Sequence, residues 1–421
     1  MHISESRSYP CDIAIVGGGL AGLTAGLVIA SQGDASVILI DRDIGSNQSM
    51  PLTFLDTVQQ FGLEESIVAR YHSFAMRTRS GGQVLRRFDG TPLVVLDYRS
   101  ACRQLYEHLR TYSTFAHLPL QARHLAREAV GWRVGLQDGG EVVSRLLIDA
   151  SGIAHFSARQ LGYALPPMYS HSYGQVFGDC NVPADQEGVA LFLTGNPRHG
   201  NGGGWFYPLS ARQASFGFAQ LTNLSRFPAQ ECRQGFERAV QEFHPYAEIM
   251  QASKREGAHL GSIPLGPVKR LACDGLMRVG DAAGQATPWA CMGVEPALLN
   301  GQLCGQVAVR AFRRGDLSRS GLQDYEKMWF ARNGAGYRKA VMLADLEWQR
   351  GEAAWDHTLN QLDRLSGPEM LNSLRYNTPA FSLPLIWGLL VYDRLGLIRR
   401  GLRDRLWVRW GSAQLRRDDG R

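Results

Sequence analysis

Near the start of the chain, apolar residues gather in a short unbroken run, Ile13-Ala14-Ile15-Val16, that stops on glycine. A strand covered on both faces reads this way, whereas a half-exposed strand would alternate. From Leu23 to Ser31 the apolar positions take helical spacing, and a second unbroken run, Val37 to Ile40, ends on Asp41. The pattern is a strand–helix–strand unit reaching to about Gly45. Gly81-Gly82 and Gly90-Thr91-Pro92 bracket Val84 to Phe88, which predicts a hairpin strand. Arg99 to Thr111 is amphipathic with the helical period. Trp132 to Val143 folds back about Asp138-Gly139-Gly140 and leads into a buried strand, Leu146 to Asp149.

Short alternating runs then take over between Tyr169 and Leu265: Tyr173 to Phe177, Val189 to Thr194, Trp205 to Leu209 and Ala214 to Leu221. They predict an antiparallel sheet, with one helix at Gln230 to Phe243. An apolar helix runs from Val294 to Val309. Beyond Leu317 the chain reads as helices at Leu322 to Arg350, Leu359 to Leu374 and Leu383 to Arg409. No repeat or low-complexity tract interrupts this order.

The first unit carries a chemical pattern. Its strand ends on Gly17-x-Gly19-x-x-Gly22, the helix begins at once, and Asp41 closes the second strand. Gly17 permits a tight turn, Gly19 lets a pyrophosphate approach the backbone and Gly22 allows close helix–strand packing. The helix N-terminus faces the phosphates and the acid is placed for ribose hydroxyls. With the neighbouring Leu20, Ala21 and Arg42, these residues are the candidate dinucleotide site.

Three further motifs follow in order. Tyr98-Arg99-Ser100-Ala101-Cys102-Arg103-Gln104-Leu105 opens a helix. Leu146-Leu147-Ile148-Asp149-Ala150-Ser151-Gly152 is followed by Ser157 and Arg159. Leu276-Met277-Arg278-Val279-Gly280-Asp281-Ala282-Ala283-Gly284 precedes Pro288 and the helix that opens at Gly293-Val294. Together the four motifs resemble those of the para-hydroxybenzoate hydroxylase-like flavoproteins, within their geranylgeranyl reductase, lycopene cyclase and flavin-dependent halogenase branch. The resemblance covers residues 12 to 301 and implies non-covalently bound FAD. Arg99 would lie beside the cofactor, Gly280 and Asp281 would meet its ribitol, and the helix N-terminus at Gly293 and Val294 would face the flavin. Ser151 stands where the hydroxylases usually carry an acid.

The implied fold class is α/β: a three-layer FAD-binding Rossmann-like domain, an antiparallel β-sheet substrate domain and a helical C-terminal region. Residues 1–165 and 266–316 would form the first, with inserted strands at about 75–97. Residues 166–265 would form the second and 317–421 the third.

Composition narrows the setting. Seven scattered cysteines without a Cys-x-x-Cys pair argue against zinc ribbons and a disulfide framework, and no metal-ligand spacing stands out. The first eleven residues are polar, with no apolar signal core, and no segment reaches the length of a membrane span, so a cytoplasmic location is expected. The net charge of +6 is carried mostly by arginine, but no nucleic-acid-reading module accompanies it.

For the substrate side, Gly202-Gly203-Gly204-Trp205-Phe206-Tyr207-Pro208-Leu209 resembles the Trp-x-(aromatic or aliphatic)-Pro strand that the reductases and halogenases set over the flavin. Trp205 and Tyr207 are therefore the candidate catalytic-site residues, the alternative being core packing. The three glycines predict a roomy pocket. Glu295 is a third candidate, as base or proton shuttle; an acid in a helix's first turn also complements the dipole without any catalytic role. Cys291 stands where reductases and cyclases carry glycine. His171 and His199 read as structural histidines or as groups orienting substrate. The four lysines, Lys254, Lys269, Lys327 and Lys339, match no halogenase lysine motif.

The expected activity is FAD-dependent monooxygenation of a bulky, aromatic substrate, free or bound to a peptide or carrier protein. The alternative is oxygen-independent isoprenoid reduction or carotenoid cyclisation, with halogenation a weaker third. A single Gly-x-Gly-x-x-Gly unit leaves reducing equivalents to come from NAD(P)H binding transiently or from a separate flavin reductase, and Ser151 favours the reductase. The Arg- and Trp-rich C-terminus keeps three readings: a cap over the cavity, peripheral membrane contact, or a docking face for a partner.

Overall fold

The computed structural model describes residues 7–376 except 79–80, 195–201, 224, 227, 245, 267 and 351. The chain opens with β1 (Ser8–Val16), α1 (Leu20–Ala30) and β2 (Val37–Ile40). Next come β3 (Leu52–Phe54), α2 (Leu55–Gln60), β4 (Ile67–Tyr71), β5 (Ser73–Thr78), β6 (Gln83–Arg87) and β7 (Leu93–Leu96). After α3 (Tyr98–Leu109) stand β8 (Phe115–Leu118), β9 (Ala122–Arg127), β10 (Trp132–Leu136), β11 (Glu141–Asp149) and the short α4 (Phe156–Gln160).

Strands β1, β2, β8, β11 and a later strand, β18 (Leu276–Arg278), run parallel in one sheet, in the order β18-β11-β1-β2-β8. Alternate residues of β1 serve opposite layers, as the pleat requires. Ile13 and Ile15 pack with α1 and α3, while Ala14 and Val16 pack with Trp132 and Val134 of the β9–β10 hairpin. Three layers result: helices, parallel sheet and hairpin. The helix of the first unit begins at Leu20, three residues before its apolar spacing becomes readable.

A second sheet holds β12 (Met168–Gly178), β13 (Val189–Thr194), β14 (Gly202–Ser210), β15 (Gln213–Thr222) and β16 (Lys254–Leu265), with α5 (Ala229–Glu242) and α6 (Tyr246–Gln251) between the last two. Its strand order is β16-β12-β15-β14-β13-β5-β6. The insertion at about 75–97 therefore does not stay with the nucleotide domain. β5 pairs parallel with β13, and β6 pairs with β5, so residues 73–87 extend the substrate sheet. The expectation of a wholly antiparallel sheet fails at that one pairing. Only β7 of the insertion lies elsewhere, between β3 and β4 in a three-stranded sheet.

After β17 (Ala272–Cys273) and β18, α7 (Val294–Arg313) returns against α1. Glycines let the two helices approach: a Cβ on Gly301 would lie 2.5 Å from the Ala21 carbonyl oxygen, and one on Gly305 2.7 Å from Val28 Cβ. The single long helix α8 (Arg319–Arg350) follows. The helix expected from Leu359 to Leu374 is two, α9 (Glu352–Leu362) and α10 (Gly367–Tyr376). Pro368 cannot continue an incoming helix, and Ser366 with Glu369 forms a reciprocal cap at the new start. The expected helix at Leu383 to Arg409 lies outside the described residues, and so do the three readings of its role. Among the described residues no helix is long and apolar enough to cross a membrane.

Candidate active site

At the end of β1, Gly17 has φ +109°, and a Cβ there would lie 2.2 Å from the Ala150 carbonyl oxygen. A Cβ on Gly22 would stand 2.1 Å from the Gly17 carbonyl oxygen. Both positions demand glycine because backbone meets backbone. Asp41 accepts the Gly18 N–H at 2.7 Å and the Asp43 N–H at 2.9 Å, so it holds the glycine loop as well as the end of β2. Gly19 caps α1 with no side-chain acceptor of its own, and the start of the helix at Leu20 and Ala21 faces a cavity.

Asp149, fully buried beside that loop, accepts the Ser151 N–H at 3.1 Å, the Ser157 N–H at 2.7 Å and the Ser157 hydroxyl. Ser151 accepts the Phe156 N–H at 2.8 Å. These residues brace the turn that places Ala150 and Gly152 on the cavity wall.

On the opposite side Gly280, at φ +64°, starts a tight turn in which Asp281 reaches the cavity. Arg278 and His155 brace it from beneath, both directed at the Ala282 carbonyl oxygen (2.6 and 3.4 Å). Burial raises the Asp281 carboxyl from 3.8 to about 7. Among the described residues no protein donor reaches that carboxylate. Gly293 caps α7, again with no side-chain acceptor, and Val294 lines the same cavity.

Two uncapped helix N-termini, one unpartnered acid and a glycine loop where a Cβ has no room thus converge. An elongated phosphate-bearing cofactor satisfies all three, and FAD fits. Gly17, Gly19, Leu20, Ala21, Gly22 and Asp41 would hold its dinucleotide end; Gly280, Asp281, Gly293 and Val294 would hold the ribitol and flavin.

Arg42 and Arg99 do not line the cavity, and neither do Gly17, Gly22 and Asp41. Arg42 is exposed beyond the end of β2, and Arg99 donates from Nε to the Gly45 carbonyl at 3.0 Å, beside the glycine loop. The residue before Arg99 also belongs to the site. Tyr98 lines the cavity, and its hydroxyl accepts the Leu20 N–H at 3.4 Å. Its position at the start of an amphipathic helix, in a quoted motif, was the available signal.

The cavity holds about 310 Å³ and lies between the nucleotide cradle and the second sheet. Trp205 and Tyr207 both line it. The Trp205 indole lies flat across neighbouring strands, because its register partner Gly217 and the next in the row, Gly174, have no side chains. A Cβ on Gly217 would fall 2.0 Å from the ring, and one on Gly174 2.8 Å. Trp205 Nε1 donates to Ser215 Oγ at 3.2 Å, and its ring stacks on His259 with centroids 5.8 Å apart. Tyr207 is buried against Tyr71 and Phe192, and burial keeps its phenol protonated.

The glycine run before Trp205 serves packing more than space. A Cβ on Gly202 or Gly204 would press the β15 backbone at 2.1 or 2.5 Å. Cys291, at φ 51°, also lines the cavity, and burial lifts its thiol to about 11.

Glu295 is not brought to this cavity. It is buried on the far side of α7, accepts from Thr57 Oγ1 at 2.5 Å and pairs with Arg375 of α10 at 3.0 Å. Successive helix residues diverge by about 100°, so Val294 faces the cavity and Glu295 does not. Burial raises its carboxyl, opposed by Thr57 and Arg375. His171 is buried against Ser262 at 2.7 Å and stacks on Tyr169, away from the cavity lining. His199 lies outside the described residues. His259, which no sequence motif marked, is the one histidine among the described residues that line the cavity. No lysine lines it among the described residues, and no group there of three or more His, Cys, Asp or Glu could hold a metal.

No family model matches the chain. Among curated proteins it is 25% identical over 374 residues to digeranylgeranylglycerophospholipid reductase 2 of Methanopyrus kandleri, covering 84% of this chain and 90% of that one. It is 28% identical to the digeranylgeranylglycerophospholipid reductase of Methanothrix thermoacetophila, covering 76% and 83%. Against reductase 2 of Methanococcoides burtonii it is 29% identical, and the match spans 49% of each chain.

Solved structures with the same fold include a geranylgeranyl bacteriochlorophyll reductase-like protein from Thermoplasma acidophilum, with TM-score 0.77 and 17% identity over 92% of this chain and 99% of that one. The flavin-dependent brominase Bmp2 superposes with TM-score 0.72 and 14% identity, covering 91% and 99%. PqsL from Pseudomonas aeruginosa, described as a probable FAD-dependent monooxygenase, gives 0.60 and 19%, covering 81% and 97%. Relatives and structural neighbours make the chain an FAD-dependent oxidoreductase, and its motifs resemble those of the para-hydroxybenzoate hydroxylase-like flavoproteins.

Proposed function

We propose that the chain is an FAD-dependent reductase that saturates alkenes of an isoprenoid chain. The observation carrying this reading is the run of sequence relatives named as digeranylgeranylglycerophospholipid reductases, which align across most of this chain. It replaces hydroxylation of an aromatic substrate as the preferred reading. The cavity suits it: Met76, Phe192, Trp205, Tyr207, Trp289 and Trp355 give a wall that a hydrocarbon can fill.

Held by the glycine loop, Asp281 and the N-terminus of α7, FAD would supply the hydride to one alkene carbon when bound and reduced. The protein's part is to hold the polyene against the cofactor, exclude water and position the proton that completes the other carbon. Trp205 and Tyr207 form the flat wall of that slot, and burial holds the Tyr207 phenol in its neutral form among aromatic rings. Electrons arrive from NAD(P)H binding transiently or from a separate reductase.

Anaerobic incubation of dithionite-reduced protein with geranylgeranyl lipids tests the reading. Products heavier by two hydrogens per alkene are expected. Oxygen uptake coupled to hydroxylated product, with no anaerobic saturation, would instead establish the monooxygenase, the reaction class described as probable for PqsL.

A further inference from the structure

The cavity is not uniformly apolar. One edge is built by β12 and β16, whose register sets Ser170 opposite Ile263, Ser172 opposite Gly261 and Gly174 opposite His259. Residues two apart in a strand share a face, so Ser170, Ser172 and His259 form a polar seam along one wall, and all three line the cavity. Glycine makes the seam possible. A Cβ on Gly174 would lie 2.4 Å from His259 Nε2, and one on Gly261 2.8 Å from Ser172 Oγ.

His259 is 8% exposed, stacks on Trp205 and, among the described residues, has no hydrogen-bond partner. A buried polar ring without a partner costs stability unless something else meets it. Burial also lowers its pKa to about 4, so the imidazole is neutral. The charge of the wall is equally informative: among the described lining residues there is no lysine or arginine, and Asp281 is the single carboxylate. Beside the seam, therefore, no cationic side chain among the described residues stands ready to neutralise a phosphate.

We infer that the seam of Ser170, Ser172 and His259 is a specificity subsite that hydrogen-bonds an uncharged oxygen of the substrate, a hydroxyl or carbonyl, and discriminates against a phosphorylated end inside the cavity. For the substrate class this rests on the isoprenoid reading, but the seam itself does not. A single neutral hydrogen bond is worth about three- to tenfold in affinity.

The test is equilibrium binding to the purified, FAD-containing protein in one mild detergent, with two matched pairs: geranylgeraniol against its hydrocarbon, and 2-naphthol against naphthalene. Geranylgeranyl diphosphate is the charged control. The wild type is expected to prefer the alcohol over the hydrocarbon, and over the diphosphate, by about three- to tenfold. His259→Phe, which keeps the stack on Trp205 but removes the ring nitrogens, is expected to abolish the preference while hydrocarbon binding stays unchanged. His259→Gln is expected to restore part of it.

Should His259→Phe fail to fold, the Ser170→Ala, Ser172→Ala double variant reads the same wall and is expected to lose the preference. A preference confined to the naphthol pair supports the seam and overturns the isoprenoid reading. Equal binding within both pairs, an undiminished preference in the folded variant, or tighter binding of the diphosphate overturns the seam.

Discussion

The two sheets solve binding in opposite ways. In the parallel sheet the candidate binding groups are backbone N–H donors at the start of α1, in a turn that Gly17 and Gly22 let close backbone on backbone. In the second sheet the binding surface is side chain, and glycines at 174, 217 and 261 serve to seat Trp205, His259 and Ser172 on their neighbours. The same residue type thus lets backbone meet backbone in one sheet and clears room for the protein's own rings in the other. A site made of backbone should tolerate no substitution. A site made of side chains should lose selectivity or rate before it loses the fold.

The largest effect is expected at Gly22. Its replacement by alanine drives a Cβ into the Gly17 carbonyl, an overpacking worth about 3 kcal/mol or more. Purified Gly22→Ala should be colourless or aggregate, as absorbance near 450 nm will show; full yellow occupancy would break the contrast at its root.

Asp281→Asn comes next. It removes the acid at the ribitol end, and FAD affinity should fall at least tenfold, measured by flavin release on dilution. The apoprotein should respond the other way. Burial raises this carboxyl from 3.8 to about 7, so over that interval the folded chain retains a proton that the unfolded chain has released. The stabilisation is complete below pH 4 and is lost as pH rises through 7. Apo Asp281→Asn should therefore outlast wild-type apoprotein by a few degrees of melting temperature at pH 8, and the difference should vanish near pH 4.

In the second sheet, Trp205→Ala should keep FAD and cut turnover about tenfold, the loss of one well-seated contact wall. Gly217→Ala, which lifts the indole without removing it, should produce a partial version of the same loss. Unfolding at moderate temperature in both variants would return Trp205 to a core-packing role.

The smallest effect should come from Glu295→Gln. Facing Thr57 and Arg375 and not the cavity, it should leave kcat within about twofold while lowering the melting temperature a few degrees through the weakened pair. A pH-dependent collapse of kcat would revive Glu295 as a proton shuttle.

The same contrast explains how much could be read beforehand. The cradle was legible because its requirements are local: a strand, three glycines, a helix start and an acid, all within thirty residues. Asp281 and Gly293 followed from a second local pattern. Local patterns cannot report where a helical side chain points, so the position of Glu295 in the first turn of α7 leaves a proton shuttle and a dipole-complementing acid both open, and its pairing with Thr57 and Arg375 comes only from the fold. The substrate sheet depends on register between strands far apart in sequence. His259 meets Trp205 only because β12 and β15 lie between them, each with a glycine in that row. Nor does any pattern within residues 73–87 announce that their partner will be Val189–Thr194.

That last pairing decides what can be exchanged between relatives. Since β5 and β6 complete the far edge of the substrate sheet, the segment 166–265 is not a cassette. A chimera that transplanted it alone would carry five strands to a host whose own two edge strands were shaped for another neighbour. Residues 73–87 and 189–194 must therefore diverge together, and a recombination that respects the sheet needs two crossovers upstream of β12 as well as those that bound it. New substrate range in this architecture is more readily reached by exchanging side chains on the cavity face than by exchanging the sheet.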